Sequence, residues 1–101
     1  MEIKIEVFSI NSYFKVFANT VLNTVIINGK TCKMDANVFA QRLLDVVALW
    51  DKNMVNKNVF DAEEYTIEIE KNFETLKIVG CGKYPPNYMA FKSLLKEAFE
   101  C

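Results

Sequence analysis

Apolar and polar residues alternate at the start of the chain. Ile3, Ile5 and Val7 share one side of an extended backbone, and Glu2, Lys4 and Glu6 share the other. A period of two predicts a half-buried strand. Phe8 and Ile10 break the alternation, and Asn11-Ser12 reads as a turn. The next run, Tyr13 to Ala18, fits either a second strand or an aromatic link packed under the sheet, and both readings stay open. Val21 to Ile27 is apolar and rich in β-branched residues, and Asn28-Gly29 follows at once. Asn-Gly between apolar runs predicts a hairpin, because both residues tolerate the positive φ of a type I′ turn. Lys30 to Met34 is the predicted return strand, with Cys32 and Met34 opposite Thr31 and Lys33.

The period then changes. Asp35 stands where a helix N-cap belongs. From Ala36 to about Lys52 the residues Phe39, Leu43, Val46, Val47 and Trp50 fall on one helical stripe, widened by Ala40, Leu44, Ala48 and Leu49. A helix apolar around so much of its girth needs a sheet beneath it and cover at its flank. Asn53 to Phe60 is read as a loop. In the closing hairpin, Tyr65, Ile67 and Ile69 face Leu76 and Ile78, and Lys77 is placed outward to meet Glu68 or Glu70. Gly80 and Gly82 are read as flexible joints, and Tyr84-Pro85-Pro86 delays helix until a cap at Asn87. Tyr88, Phe91, Leu95 and Ala98 then recur at helical spacing. Lys92 and Lys96 are expected outward, as a weakly unfavourable like-charge pair.

The pattern predicts an α+β fold: an antiparallel sheet of four to five strands with two helices packed on one face, in the order β-β-β-α-β-β-α. At 101 residues the expectation is one domain spanning 1–101. Hydrophobic residues make up 51%, enough for a core and against disorder. Twelve basic residues against thirteen acidic ones leave a net charge of −1, so direct nucleic-acid binding is not expected. A basic face would have to be gathered from Lys30, Lys33, Lys52 and Lys57. No apolar run has transmembrane length, so no membrane partner is expected. Three widely spaced cysteines suit a reducing compartment, with the cytoplasm as the expected location.

Chemistry is thinly signalled. The chain has no histidine, which removes His-dependent nucleophile systems and the commonest zinc ligand. Cys81 in Gly80-Cys81-Gly82-Lys83 is the best nucleophile candidate, since Lys83 and a nearby helix start would lower a thiol pKa. Packing as a small apolar residue at a strand end is the stronger reading. The Gly-x-Gly-Lys run lacks the spacing of a P-loop and the βαβ setting of a dinucleotide turn. No catalytic residue, metal ligand or cofactor is assigned. Between Asp61 and Glu74, six acids (Asp61, Glu63, Glu64, Glu68, Glu70, Glu74) stand against Lys71 alone. This acidic surface, with Tyr84 and Tyr88 beside the prolines, makes Glu64, Glu68, Glu70, Glu74, Tyr84 and Tyr88 the candidate partner-binding residues.

The stretch from LLDVVALW through DAEEYTIEIE to GCGKYPPNYMAFKSLL is similar to small uncharacterised bacterial or phage α+β proteins. The shared features are a tryptophan-ending helix, an acidic-aromatic strand start and a Gly-x-Tyr-Pro-x-Asn-Tyr helix entry. The resemblance implies no activity and assigns no residue a role. The functional expectation is a small intracellular, non-catalytic protein-interaction module. Its narrower form is a mobile-element inhibitor of a bacterial defence effector, anti-CRISPR-like, that meets a basic nucleic-acid-binding partner. A homodimer through the helix Ala36–Lys52 is a further expectation. The alternatives are a small-molecule or enzymatic site on the Gly80–Tyr88 link, joining Cys81, Lys83 and Tyr84, or a structural homo-oligomer.

Overall fold

The computed structural model describes residues 1–9, 12–55 and 63–100. Its strands are β1 (Glu2–Phe8), β2 (Tyr13–Asn19), β3 (Thr24–Ile27), β4 (Lys30–Cys32), β5 (Asn53–Val55), β6 (Glu64–Lys71) and β7 (Glu74–Cys81). Helix α1 (Ala36–Val47) lies between β4 and β5, and α2 (Tyr88–Glu100) follows β7. The strands form one seven-stranded sheet in the order β4-β3-β2-β1-β6-β7-β5. Every pairing is antiparallel except that of β5 with β7. The α+β class and the two helices match the sequence reading. The all-antiparallel sheet of four to five strands does not.

Two segments make the difference. Tyr13–Asn19, left open between strand and link, is a full strand paired along its length with β1. Asn53–Val55, read as loop, runs parallel to β7, with the Val79 N–H donating to the Lys52 carbonyl at 3.0 Å. Three residues are too few to show a period, and Met54 alone is buried. The remainder of the expected loop, with Lys57 and Asp61, lies outside the described residues.

Side-chain hydrogen bonds override apolar content at two element ends. Val21 and Leu22, expected in a strand, sit in the β2–β3 turn because Asn19 Oδ1 accepts from both of their N–H groups (2.9 and 3.0 Å). Asn23 adopts φ 51° there, and its Oδ1 accepts from the Ala36 N–H at 2.8 Å, tying this turn to the start of α1. Asp35 caps α1 as expected, accepting from Asn37 and Val38. The helix ends at Val47 rather than Lys52, and Trp50 folds back with its N–H on the Val47 carbonyl. Asn28-Gly29 forms the predicted turn, with φ 52° and 80°.

Only one parity of strand positions is buried. Ile3, Ile5, Val7, Val16, Ala18, Val25, Ile27, Tyr65, Ile67, Ile69 and Ile78 form a core with residues of both helices. Both helices therefore cover the same face of the sheet. The apolar stripe of α1 (Phe39, Ala40, Leu43, Val47) is spent inside this core, leaving Leu44 and Val46 half-buried.

Candidate functional site

The opposite parity builds the uncovered face of the sheet. Register places Glu2, Lys4, Glu6 and Phe8 of β1 between Asn19, Phe17, Lys15 and Tyr13 of β2 and Glu70, Glu68, Thr66 and Glu64 of β6. Lys77 of β7 lies opposite Glu68, with 3.6 Å between Nζ and Oε1. Five glutamates (Glu2, Glu6, Glu64, Glu68, Glu70) thus share the face with three lysines (Lys4, Lys15, Lys77). The local excess of acid in the sequence is diluted by lysines from β1, β2 and β7. Exposed cross-strand pairs of this kind contribute about 0.2–1 kcal/mol each, so they pattern the surface more than they stabilise it.

Two apolar pairs interrupt the charges. Phe8 and Tyr13 face each other with ring centroids 4.6 Å apart, each more than two-fifths exposed. Phe17, four residues along β2, pairs with Ile26 of β3, and both are half-buried. Aromatic groups bordered by charges are the composition of interface anchors.

Cys81 ends β7 on this same face, opposite Glu64, with Sγ 3.8 Å from the Glu64 carboxylate. Desolvation first, then the charge and hydrogen bond of Glu64, hold its thiol above the ordinary value. Activation by Lys83 is not what surrounds it, and the thiolate is disfavoured rather than promoted.

The Gly80–Tyr88 link is pinned on the helix side instead. The Tyr65 hydroxyl donates to the Lys83 carbonyl at 3.0 Å, and the Tyr84 hydroxyl accepts from the Glu63 N–H at 2.9 Å. Tyr88 donates to Glu63 Oε2 at 2.6 Å, and Lys92 pairs with the other oxygen of the same carboxylate. Lys92 is therefore half-buried over the Phe14 ring, not one of an outward lysine pair. Tyr84, Tyr88, Tyr65, Trp50 and Phe91 pack ring against ring in that order, tilted or edge-on, with successive centroids from 4.7 to 5.9 Å apart. Burial pushes Tyr65 up to about 12, helped by Tyr84. Burial and then the hydrogen bond to Glu63 push Tyr88 higher still.

The six predicted partner-binding residues do not form one patch. Glu64, Glu68 and Glu70 lie together on the uncovered face. Glu74 begins β7 at the hairpin end, on the helix side of the register. Tyr84 is exposed on one side of the aromatic stack, and Tyr88 is 7% exposed within the core. Cys81 and Tyr84 fall on opposite faces, so Cys81, Lys83 and Tyr84 do not converge on a pocket. Lys30 and Lys52 mark opposite edges of the sheet, roughly 25–30 Å apart across seven strands. Sequence reasoning missed Lys4, Lys15, Phe8, Tyr13 and Phe17 as neighbours of the glutamates, because the β1–β6 pairing joins segments some sixty residues apart. It missed Glu63 as the clamp on Tyr88 and Lys92 because those contacts close over 25 and 29 residues of chain.

No family model, curated protein or solved structure matches the chain. Among the described residues no helix is long and apolar enough to cross a membrane. Among the same residues no three His, Cys, Asp or Glu side chains gather to hold a metal ion.

Proposed function

We propose that the protein is a non-catalytic protein-interaction module whose docking surface is the uncovered face of its sheet. One observation carries this reading: two apolar pairs, Phe8–Tyr13 and Phe17–Ile26, are set among the glutamates and lysines of β1, β2 and β6, with Glu6–Lys15 between them. Apolar anchors supply affinity on desolvation, and the flanking charges supply orientation and association rate. The interleaved lysines favour a partner surface of mixed charge with a basic excess over a uniformly basic groove. Inhibition of a nucleic-acid-binding defence effector is the narrower form of the proposal, supported by the five glutamates alone. Bacterial or phage origin and an intracellular setting belong to the same proposal.

The test is affinity capture from bacterial lysate with the wild type, Glu68→Lys/Glu70→Lys and Tyr13→Ala in parallel. The reading expects one protein retained by the wild type, with capture reduced on the order of tenfold by the charge reversal. Truncating the Tyr13 ring is expected to weaken capture comparably. A partner retained equally by all three would place docking elsewhere.

A further inference from the structure

We infer that Asn28 is a positioning residue for the uncovered sheet face: its carboxamide acts as one more residue of β3 and fixes the half of β2 that carries the Tyr13 ring. This role rests on the reading of that face as the docking surface. Strand β2 runs from Tyr13 to Asn19, but β3 pairs only with Val16 to Asn19. Tyr13 to Lys15 therefore extend past the end of β3 and would present an open strand edge. Asn28 closes that edge. Its backbone N–H donates to the Lys15 carbonyl at 2.9 Å. Its Oδ1 accepts from the Lys15 N–H at 2.8 Å, and its Nδ2 donates to the Tyr13 carbonyl at 3.0 Å. A carboxamide offers the donor and the acceptor of a peptide group, so the side chain continues the ladder where the main chain turns away.

The turn alone does not require this side chain. Asn28 and Gly29 take φ 52° and 80°, which glycine or aspartate at the first position would also accept. Neither supplies both bonds: glycine has no side chain, and an aspartate carboxylate sets an oxygen against the Tyr13 carbonyl. What the carboxamide holds is the backbone beneath an exposed ring. Tyr13 is 43% exposed and meets Phe8, its register partner on β1, with centroids 4.6 Å apart. An aromatic anchor whose backbone is ordered beforehand loses less freedom on docking.

Amide hydrogen exchange followed by NMR on the full chain tests this role without a partner. The variants are Asn28→Gly, Asn28→Asp and, as a control, Asn23→Gly. The control suits the φ of 51° at that position and removes the bond to the Ala36 N–H at the other end of β3. Exchange of the Lys15 amide is expected to quicken about tenfold in Asn28→Gly, and to stay slow in Asn28→Asp and Asn23→Gly. Contacts between the Phe8 and Tyr13 rings are expected to weaken in both Asn28 variants and to persist in the control. A Lys15 amide that exchanges at the wild-type rate in Asn28→Gly overturns the inference, as do ring contacts unchanged in both Asn28 variants. Affinity capture is the second arm: the partner held by the wild type is expected to be retained by Asn23→Gly and reduced roughly tenfold by both Asn28 variants. Equal losses from Asn23→Gly and Asn28→Gly would make Asn28 general support for the fold and overturn its positioning role. A wild type that retains no partner while the exchange pattern holds overturns the docking surface and not the bracing of Tyr13.

Discussion

Gly80 and Phe73 occupy the same hairpin and invert the usual roles of their residue types. Gly80 is paired with Tyr65 inside the sheet, where a Cβ would come within 2.0 Å of the ring. Tyr65 is 1% exposed and anchored through its hydroxyl to Lys83, so it has nowhere to retreat. Gly80→Ala is therefore expected to cost at least about 1–3 kcal/mol by urea unfolding. Phe73 sits at φ 66°, where glycine would be at ease, and Phe73→Gly is expected to raise stability by about 1 kcal/mol. The sequence reading took Gly80 for a joint because Gly-Cys-Gly-Lys-Tyr-Pro-Pro resembles loosened chain. Its true constraint lies across the strand, and the pairing depends on a turn at Asn72-Phe73 that carries no glycine.

Elements announced by short-range chemistry were legible. Asp35, Asn28-Gly29 and the Pro85-Pro86 barrier act within a few residues, and each marks an element boundary in the structure. The end of α1, the start of β3 and the strand β5 were not, because long-range partners or asparagine side chains decide them. Asp35→Ala is expected to lose about 1 kcal/mol, read as a lower urea midpoint with unchanged slope. The clamp at the start of α2 gives a second prediction. Tyr65 and Tyr88 keep their protons in the folded state above the ordinary tyrosine value of 10.0. The unfolded chain then binds fewer protons than the native one, so the stability these two hydroxyls contribute is constant below pH 10 and falls as pH rises from there toward 12. Melting temperatures across that range should show this loss, and Tyr88→Phe should flatten it. Lys92→Met leaves the Glu63 carboxylate with Tyr88 as its side-chain partner, and is expected to cost about 1–3 kcal/mol.

At the scale of the molecule, the sheet divides the work. One face and both helices are consumed in a single apolar core, and the other face is left to water with its two apolar pairs set in a charge lattice. The composition, with nearly balanced charge and no histidine, already pointed away from polyanion binding and imidazole chemistry. The acidic run was visible too, but its compensation by Lys4, Lys15 and Lys77 required the strand order. The most direct test of the uncovered face is a photo-crosslinking amino acid placed at Thr66, centred among the glutamates, and in a second variant at Lys96 on the exposed side of α2. Expression in bacteria followed by irradiation and mass spectrometry reads which position captures protein. One defined adduct is expected from Thr66, lost on adding Glu68→Lys/Glu70→Lys, and none from Lys96. Equal adducts from both positions, or an adduct from Lys96 alone, would contradict it.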